Sequence, residues 1–489
     1  MSDAVRHAVL GCLLGAAAGP DAPTWLLELL DEGLAGVTVF SSNIDGDYVA
    51  AVRRARPDAV VAIDEEGGDV TRLHWRHGCP LPGNAALGAV GDPAVTAEVA
   101  ELTAWSVLDA GANLMLAPCV DVNTDPANPV IGARSFAADP RVAAAHAHAF
   151  VAGARRAGVA TCAKHFPGHG ATSVDSHLAL PEVTDPWEVI SERDLPPFAA
   201  AIDAGVDSVM LGHLKVACLG DAPASQNTTV VERLRGELGF TGVVVTDALD
   251  MAAVGSADTL GAAAVASLQA GCDLLCLGSG LDASQVVAAI DETAAALTDG
   301  RLDAEALRRS NDRVQVLVAA AQRRRQACGR ETTARGRVEE LGSAVAARAI
   351  AVRGALPALR SPLLVECRPA QAASSRDVAW GVGHLVAGRV PAAVVSIGSS
   401  DDAARVLDRY AGRPIVVVVR GLAAAPWQRS VVESAAAGAG PLVLVELGWP
   451  ALDPPAADAY VVTHGASAAS CRAAADLLVA SARRGVGGG

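Results

Sequence analysis

Gly242-Val243-Val244-Val245-Thr246-Asp247 is a short, β-branched apolar run that stops on a carboxylate. Valine suits the pleated surface of a strand, and a run of this length bounded by polar residues reads as a strand buried on both faces. Working outward, the pattern recurs at 9–15, 36–40, 58–63, 113–118, 158–162, 207–211 and 272–277, with longer segments of helical periodicity between the runs. Repetition of strand and helix on this scale predicts an α/β chain that opens with a (β/α)8 barrel of the TIM type. An open doubly wound sheet is the alternative. The barrel is favoured because polar residues follow several runs directly, where barrel enzymes place their sites. Asp64, Asp121, Lys164, His165, His213 and Asp247 occupy such positions.

Past residue 300 the pattern changes. Residues 301–340 read as a helix and a connector, and the run Arg323-Arg324-Arg325 reads as a solvated helix face. Apolar runs return at 362–366, 391–397, 414–419, 441–446 and 459–463, separated by Ala-rich helical stretches, and predict a smaller open α/β sandwich domain. That region carries neither a Walker loop nor a glycine-rich dinucleotide fingerprint. The expected organisation is a catalytic barrel over 1–300, a helix and linker over 301–340, and a C-terminal α/β domain over 341–489.

Composition excludes several classes. A chain of 489 residues that is 51% hydrophobic and 19% charged has ample material for a core and is not disordered as a whole. Its net charge of −15 opposes holding nucleic acid or anionic lipid by bulk charge, so neither is an expected partner. Ala8 to Gly19, one of the longest mostly apolar stretches, is too short and Gly-rich to span a bilayer. The ten cysteines contain no C-x-x-C pair and suit reduced, buried thiols, which gives a cytoplasmic expectation. Ala8-Val9-Leu10-Gly11-Cys12 resembles a lipoprotein signal, but with one Arg before it the segment reads better as a first buried strand.

Three constellations carry chemistry. The densest is Lys164-His165-Phe166-Pro167-Gly168-His169-Gly170, followed by Asp175-Ser176-His177. His165 and His169 have the i, i+4 spacing of a zincin helix, yet Pro167 and Gly168 lie between them and the H-E-x-x-H glutamate is missing, so no metal is expected. The Asp-x-His spacing lets Asp175 hold one ring nitrogen of His177 and leave the other to move a proton near neutral pH; by itself such a pair is more often a plain surface loop. Thr246-Asp247-Ala248-Leu249-Asp250-Met251 is the second: a strand-end carboxylate can attack an electrophilic carbon, coordinate a metal or cap a helix. The third, Ile63-Asp64-Glu65-Glu66-Gly67-Gly68, is either a solvated acidic turn or a place where two glycines let the backbone approach a ligand. A carboxylate and a His-Asp pair on separate strand ends, with Lys164, Arg72 and Arg134 able to bind oxygens, suit glycosyl transfer through an enzyme nucleophile and a separate proton donor.

On these residues the sequence resembles glycoside hydrolase family 3, in particular the bacterial β-N-acetylglucosaminidases of the NagZ type in their two-domain form. The likeness rests on the Asp64 to Gly68 stretch with Arg72-Leu73, on Ala117-Pro118-Cys119-Val120-Asp121-Val122-Asn123, and on Asn128-Pro129-Val130-Ile131 with Arg134-Ser135-Phe136. The Lys164 to Gly170 loop, Asp175-Ser176-His177 and Thr246-Asp247 with Met251 complete it. The resemblance implies Asp247 as nucleophile, His177 as acid/base and Asp175 as its orienting partner. It also implies that Asp64, Arg72, Arg134, Lys164 and His165 bind the N-acetylglucosamine unit.

The same resemblance implies a retaining β-N-acetylglucosaminidase acting, without metal or organic cofactor, on small glycoconjugates such as muropeptides. A phosphorylase using inorganic phosphate as acceptor and a non-catalytic sugar-binding protein are the alternatives. Two positions depart from the family pattern: Glu65 stands where glutamine is usual and Asp69 where many members have arginine, an extra charge expected to alter the rim of the site. Every expected catalytic residue precedes residue 260, so the C-terminal domain is expected to be dispensable for the chemical step.

Overall fold

The computed structural model of the chain describes residues 2–174, 179–254, 259–328, 335–369 and 378–484. They fall into two compact units, each drawn from several stretches of sequence. The first comprises 1–66, 93–122 and 138–333; the second comprises 67–92, 123–137 and 334–489.

The first unit is the predicted barrel. Its strands are β1 Leu13–Gly15, β2 Gly36–Val39, β3 Val60–Ile63, β4 Leu114–Met115, β5 Ala160–Phe166, β6 Ser208–Leu211, β7 Val243–Thr246 and β8 Leu275–Cys276. They form one parallel sheet in the order β8-β1-β2-β3-β4-β5-β6-β7. A parallel bridge between Val245 and Leu274 closes the ring, reinforced by the Thr246 N–H donating to the Leu274 carbonyl at 3.1 Å. Pairing runs from Gly36↔Val60 to Val39↔Ile63 and from Ser208↔Val243 to Leu211↔Thr246, and all of these residues are buried. Strands covered on both faces need this near-continuous apolar composition, which is why they stand out in the sequence.

Three parts of the barrel differ from expectation. Asp3–Leu10 is a helix and the first strand begins only at Leu13, because Ser2 caps the helix through Oγ, which accepts from Val5 N–H at 3.4 Å, and Asp3 sits in its positive first turn. β5 continues through Lys164 and His165, with an irregular register against β6 between Ala163 and Phe166, so both side chains project from a strand and not from a loop. The helix Ala304–Ala327 belongs to the barrel: Val314, Leu317, Val318 and Ala321 share a buried cluster with Val60, Leu114, Ala160 and Val243.

Arg323 and Arg325 are exposed, as a solvated face requires, but Arg324 continues the stripe and is only partly exposed. Its Nη2 lies 2.9 Å from Asp207 Oδ1 and 3.4 Å from the Val159 carbonyl, while Arg313 Nη1 lies 2.8 Å from Asp273 Oδ1. Val159 and Asp207 immediately precede strands and Asp273 lies two residues before β8, so the helix lies across the amino ends of the barrel.

The second unit is an open, doubly wound sheet of β9 Ala351–Gly354, β10 Leu363–Cys367, β11 Ala393–Ile397, β12 Ile415–Val419, β13 Leu442–Glu446 and β14 Ala459–Val462, in the order β9-β14-β13-β12-β10-β11. Only β9 is antiparallel, and its short exposed Ala-Val-Arg-Gly run gives no strand signal in the sequence. Alternation sorts the rest: Val416, Val418, Val443 and Val445 meet Leu478 and Val479 on one face, and Val417, Val419 and Leu444 meet Val431 and Val432 on the other. This unit is not confined to 341–489. Residues following β3 and β4 fold into it, with Ala379 N–H donating to the Trp75 carbonyl at 2.7 Å and Ala468 N–H to the Cys79 carbonyl at 2.9 Å.

Candidate active site

Barrel strands run parallel, so the residue that ends each one is delivered to the same rim. Asp64 directly follows β3, Lys164 lies on the extended end of β5, and Lys164 Nζ stands 2.6 Å from Asp64 Oδ1 and 2.8 Å from Glu66 Oε1. The Lys164 and Glu66 side chains are each 3% exposed and Asp64 is 21% exposed, so Asp64 is the member of the trio that reaches solvent. Isolated buried ion pairs add little net stability, because desolvation offsets the attraction, so this trio points to function. Cys162, two residues before Lys164, senses Lys164, Asp64 and Asp247 together; burial, the largest influence, pushes its thiol up to about 12. These three predicted site residues therefore converge on one end of the barrel.

A second knot fixes the end of β5 at His165 and the loop that follows it. Asp121, fully buried, accepts from His165 N–H at 3.2 Å, His165 Nδ1 at 2.7 Å and the Cys119 thiol at 3.2 Å on Oδ2, and from His169 N–H at 2.7 Å on Oδ1. Burial alone would raise its pKa; the His165 and His169 rings and these donors outweigh it and hold the carboxyl well below the usual range. Cys119, Asp121 and His165 also place their ligand atoms within 4.8 Å of one another. Both Asp121 oxygens are already engaged by hydrogen-bond donors, so the cluster is complete as a positioning device. In the sequence Asp121 is legible only as a strand-end acid, with no role attached.

Behind this loop stands Asp194. Gly168 (φ +137°) passes so close that a Cβ there would meet Asp194 Cβ at 2.6 Å. Arg193 Nη2 contacts Asp194 Oδ2 at 2.9 Å, and burial nevertheless pushes Asp194 up to about 6. Asp175 and His177, the expected acid/base dyad, lie outside the described residues.

Asp247 follows β7. Its N–H donates to the Leu211 carbonyl at 3.1 Å and extends the sheet by one residue, while its Oδ1 accepts from Ala248 N–H at 2.8 Å. His213 braces this corner from β6: Nδ1 lies 2.8 Å from Ser225 Oγ, and Nε2 donates to the Ala248 carbonyl at 2.9 Å. Burial lowers the His213 pKa against the pull of Asp247, so the ring is neutral near pH 7 and carries its proton on Nε2.

Arg72 and Arg134 belong to the second unit. Arg72 is buried. Arg134 ends the turn Gly132–Arg134, with Nη1 donating to the Val130 carbonyl at 3.2 Å and its own carbonyl receiving Asn84 Nδ2 at 2.7 Å. The side chains at the two departures from the family pattern are largely withdrawn from solvent. Glu65 is buried, and Asp69 pairs through Oδ2 with Arg420 Nη2 at 2.9 Å and through Oδ1 with Ala466 N–H at 2.6 Å. Asp69 thus fastens the segment after β3 to the C-terminal sheet.

Comparison with known proteins bears on this arrangement. Residues 29–317 match the family described as glycosyl hydrolase family 3, N terminal domain. A β-hexosaminidase of Xylella fastidiosa strain 9a5c is 39% identical over 260 residues, covering 50% of this chain and 77% of the relative. A β-hexosaminidase of Xanthomonas campestris pv. campestris is 36% identical over 259 residues, covering 50% of this chain and 78% of that relative. Among solved structures, a glycoside hydrolase family 3 β-N-acetylglucosaminidase from Paenibacillus sp. FPU-7 superposes with a TM-score of 0.86 at 29% identity, covering 97% of this chain and 96% of that one.

Proposed function

Because this chain belongs to glycosyl hydrolase family 3 and is a glycoside hydrolase, we propose that it removes terminal, non-reducing β-linked N-acetylglucosamine with retention of configuration. Asp247 attacks the anomeric carbon as His177, oriented by Asp175, protonates the leaving oxygen. Water, deprotonated by His177, then displaces the sugar from the Asp247 ester. Asp64 and Lys164 take sugar hydroxyls, with His165 beside them. The natural substrate in this reading is a muropeptide carrying N-acetylglucosamine on N-acetylmuramic acid or its anhydro form.

The observation that carries the reading is the corner at Asp247. Its Oδ1 is held by the Ala248 N–H and Ala248 is held by a neutral His213, so the direction in which the carboxylate points is set at the strand end. A nucleophile must be fixed within a fraction of an ångström, and this bracing supplies that. Among the described residues no helix is long and apolar enough to cross a membrane. We place the enzyme in the cytosol, a reading supported by ten free cysteines of which Cys218 and Cys328 alone are exposed. Release of 4-nitrophenol from its β-N-acetylglucosaminide tests the reaction, and trapping with a 5-fluoro glycosyl fluoride followed by peptide mapping tests the nucleophile. Absence of turnover would favour a sugar-binding protein, and label on a residue other than Asp247 would overturn its assignment.

A further inference from the structure

At the amino ends of the barrel, the segments that lead into β6 and β7 leave a gap beneath the helix Ala304–Ala327. A cleft of about 560 Å³ opens there, walled by Val206 and Asp207 before β6, by Gly239 to Val243 at the entry to β7, and by one face of the helix. Every lining residue belongs to the barrel unit, and the cleft lies at the end of the barrel opposite to Asp64 and Asp247. Its volume is that of a small-molecule site.

The helix wall is formed by Arg313, Val316, Leu317, Ala320 and Arg324, residues three, four, seven and eleven positions along from the first and therefore on one face. Arg313 and Arg324 are about 16 Å apart along the axis, so cationic ends flank an apolar middle in which Val316 is exposed.

The arginines are held without being saturated. Asp207 Oδ1 accepts from Arg155 Nη1 at 3.2 Å and from Arg324 Nη2 at 2.9 Å, while Oδ2 takes the Thr161 N–H at 3.1 Å. Arg235 and Arg313 share Asp273 in the same way, so four guanidiniums divide two carboxylates, a balance of 4 − 2 = +2. Asp312, the other acid of the lining, is exposed and taken by Arg308 at 2.6 Å. Burial lowers the Arg235 pKa, and the Arg313 charge lowers it further against the pull of Asp273, so like charges crowd here. Among the described residues Arg155 and Arg313 donate through Nη1 alone and Arg324 through Nη2 alone, and all three side chains are partly exposed. Each thus keeps N–H groups for a ligand. Arg155 and Arg324 meet at one oxygen, which makes their guanidiniums converge. Gly205 (φ +83°) makes room for this, since a Cβ there would stand 3.1 Å from Arg155 Cζ. Two converging forks suit an anion with several terminal oxygens, and a phosphate monoester offers three together with nearly two negative charges near neutral pH.

We propose that this cleft binds a phosphate monoester with an apolar, ring-sized body, the phosphate against Arg155 and Arg324 and the body along Val316, Leu317 and Ala320. The site is separate from the candidate active site, and the inference does not depend on the proposed reaction.

The test is calorimetry on the full chain with phenyl phosphate, inorganic phosphate and phenol. Phenyl phosphate should bind about tenfold or more tightly than inorganic phosphate, because its ring buries apolar area that the ion lacks, and phenol should not bind at the same concentrations. Arg155→Gln should weaken phenyl phosphate about tenfold or more, as expected for loss of a charge-assisted contact, and Arg155→Lys should recover part of the loss. Asp207 keeps Arg324 in both variants, so the fold should persist. Ala320→Phe changes no charge but fills the apolar middle; it should abolish phenyl phosphate binding and leave inorganic phosphate within about twofold. If Arg155→Gln does not fold, Ala320→Phe alone decides. Equal affinity for phenyl phosphate and inorganic phosphate, no binding of phenyl phosphate at millimolar concentration, or binding indifferent to Ala320→Phe would overturn the proposal.

Discussion

At the amino ends of the barrel strands two carboxylates that are almost fully buried, Asp207 and Asp273, each meet two guanidiniums, whereas at the carboxyl ends Lys164 bridges Asp64 and Glu66 and leaves Asp64 21% exposed. Asp207 faces Arg155 and Arg324 and also accepts the Thr161 N–H; Asp273 faces Arg235 and Arg313 and takes Ser310 Oγ and the Val244 N–H. Lys164 serves both Asp64 and Glu66. Carboxylates sealed from water at 7% and 1% exposure close a structure, while Asp64, which reaches solvent, suits a ligand rich in hydroxyl donors. Both networks are buried and ionic, so burial or charge by itself does not mark a site. Access of one carboxylate to solvent separates the two networks, and it follows the division of barrels into a stability face and a catalytic face.

The comparison breaks if the two ends respond alike to substitution. The largest effect is expected at Asp247: Asp247→Ala should lower kcat/KM by more than about a thousandfold while the thermal midpoint stays within a few degrees of wild type. Loss of the folded state in that variant would show that the carboxylate is structural. Next, His177→Ala should slow substrates with poor leaving groups by about a hundredfold or more and spare activated aryl glycosides, which need little proton donation. Equal losses on both classes would assign His177 to structure.

At the opposite end the signs reverse. Asp273→Asn strips the shared carboxylate from Arg235 and Arg313 and should cost about 3 kcal/mol of stability in urea unfolding, with kcat of the folded fraction unchanged. A large fall in kcat without destabilisation would mean the amino end communicates with the chemistry, and the division would fail.

One half of this contrast is readable in the sequence. Val243 to Thr246 and Val60 to Ile63 announce strands through composition and length, and the acids that follow them mark the rim proposed to be catalytic without any structure. Other features depend on contacts distant along the chain. Asp69 reads as a rim charge because its partner lies 351 residues away. Asp121 gathers donors from Cys119, His165 and His169, and only the meeting of β4 with β5 brings them together. Lys164 and His165 read as a loop because Pro167 and Gly168 follow, yet the strand persists up to Phe166. For Arg324 the signal is local and legible: it lies three residues after Ala321 on the stripe Val314, Leu317, Val318, Ala321, which the neighbouring arginines mask.

The smallest predicted effect sharpens the contrast through pH. Asp194 is a buried acid packed on Gly168 of the His165 loop, and burial pushes it up to about 6 from an unfolded value near 3.8. Between those values the native state holds a proton that the unfolded chain has released, so stability falls as pH rises from about 4 to about 6 and the penalty is complete above that range. A shift of this size corresponds to about 3 kcal/mol at most. Asp194→Asn cannot ionise and should escape the penalty. Whatever the variant loses from its contact with Arg193, its stability relative to wild type should improve by about 2 kcal/mol between pH 4 and pH 7, read as urea midpoints at each pH. A difference between the two proteins that stays constant across that range would show that Asp194 is ionised throughout, held by Arg193 in the manner of the amino-end acids.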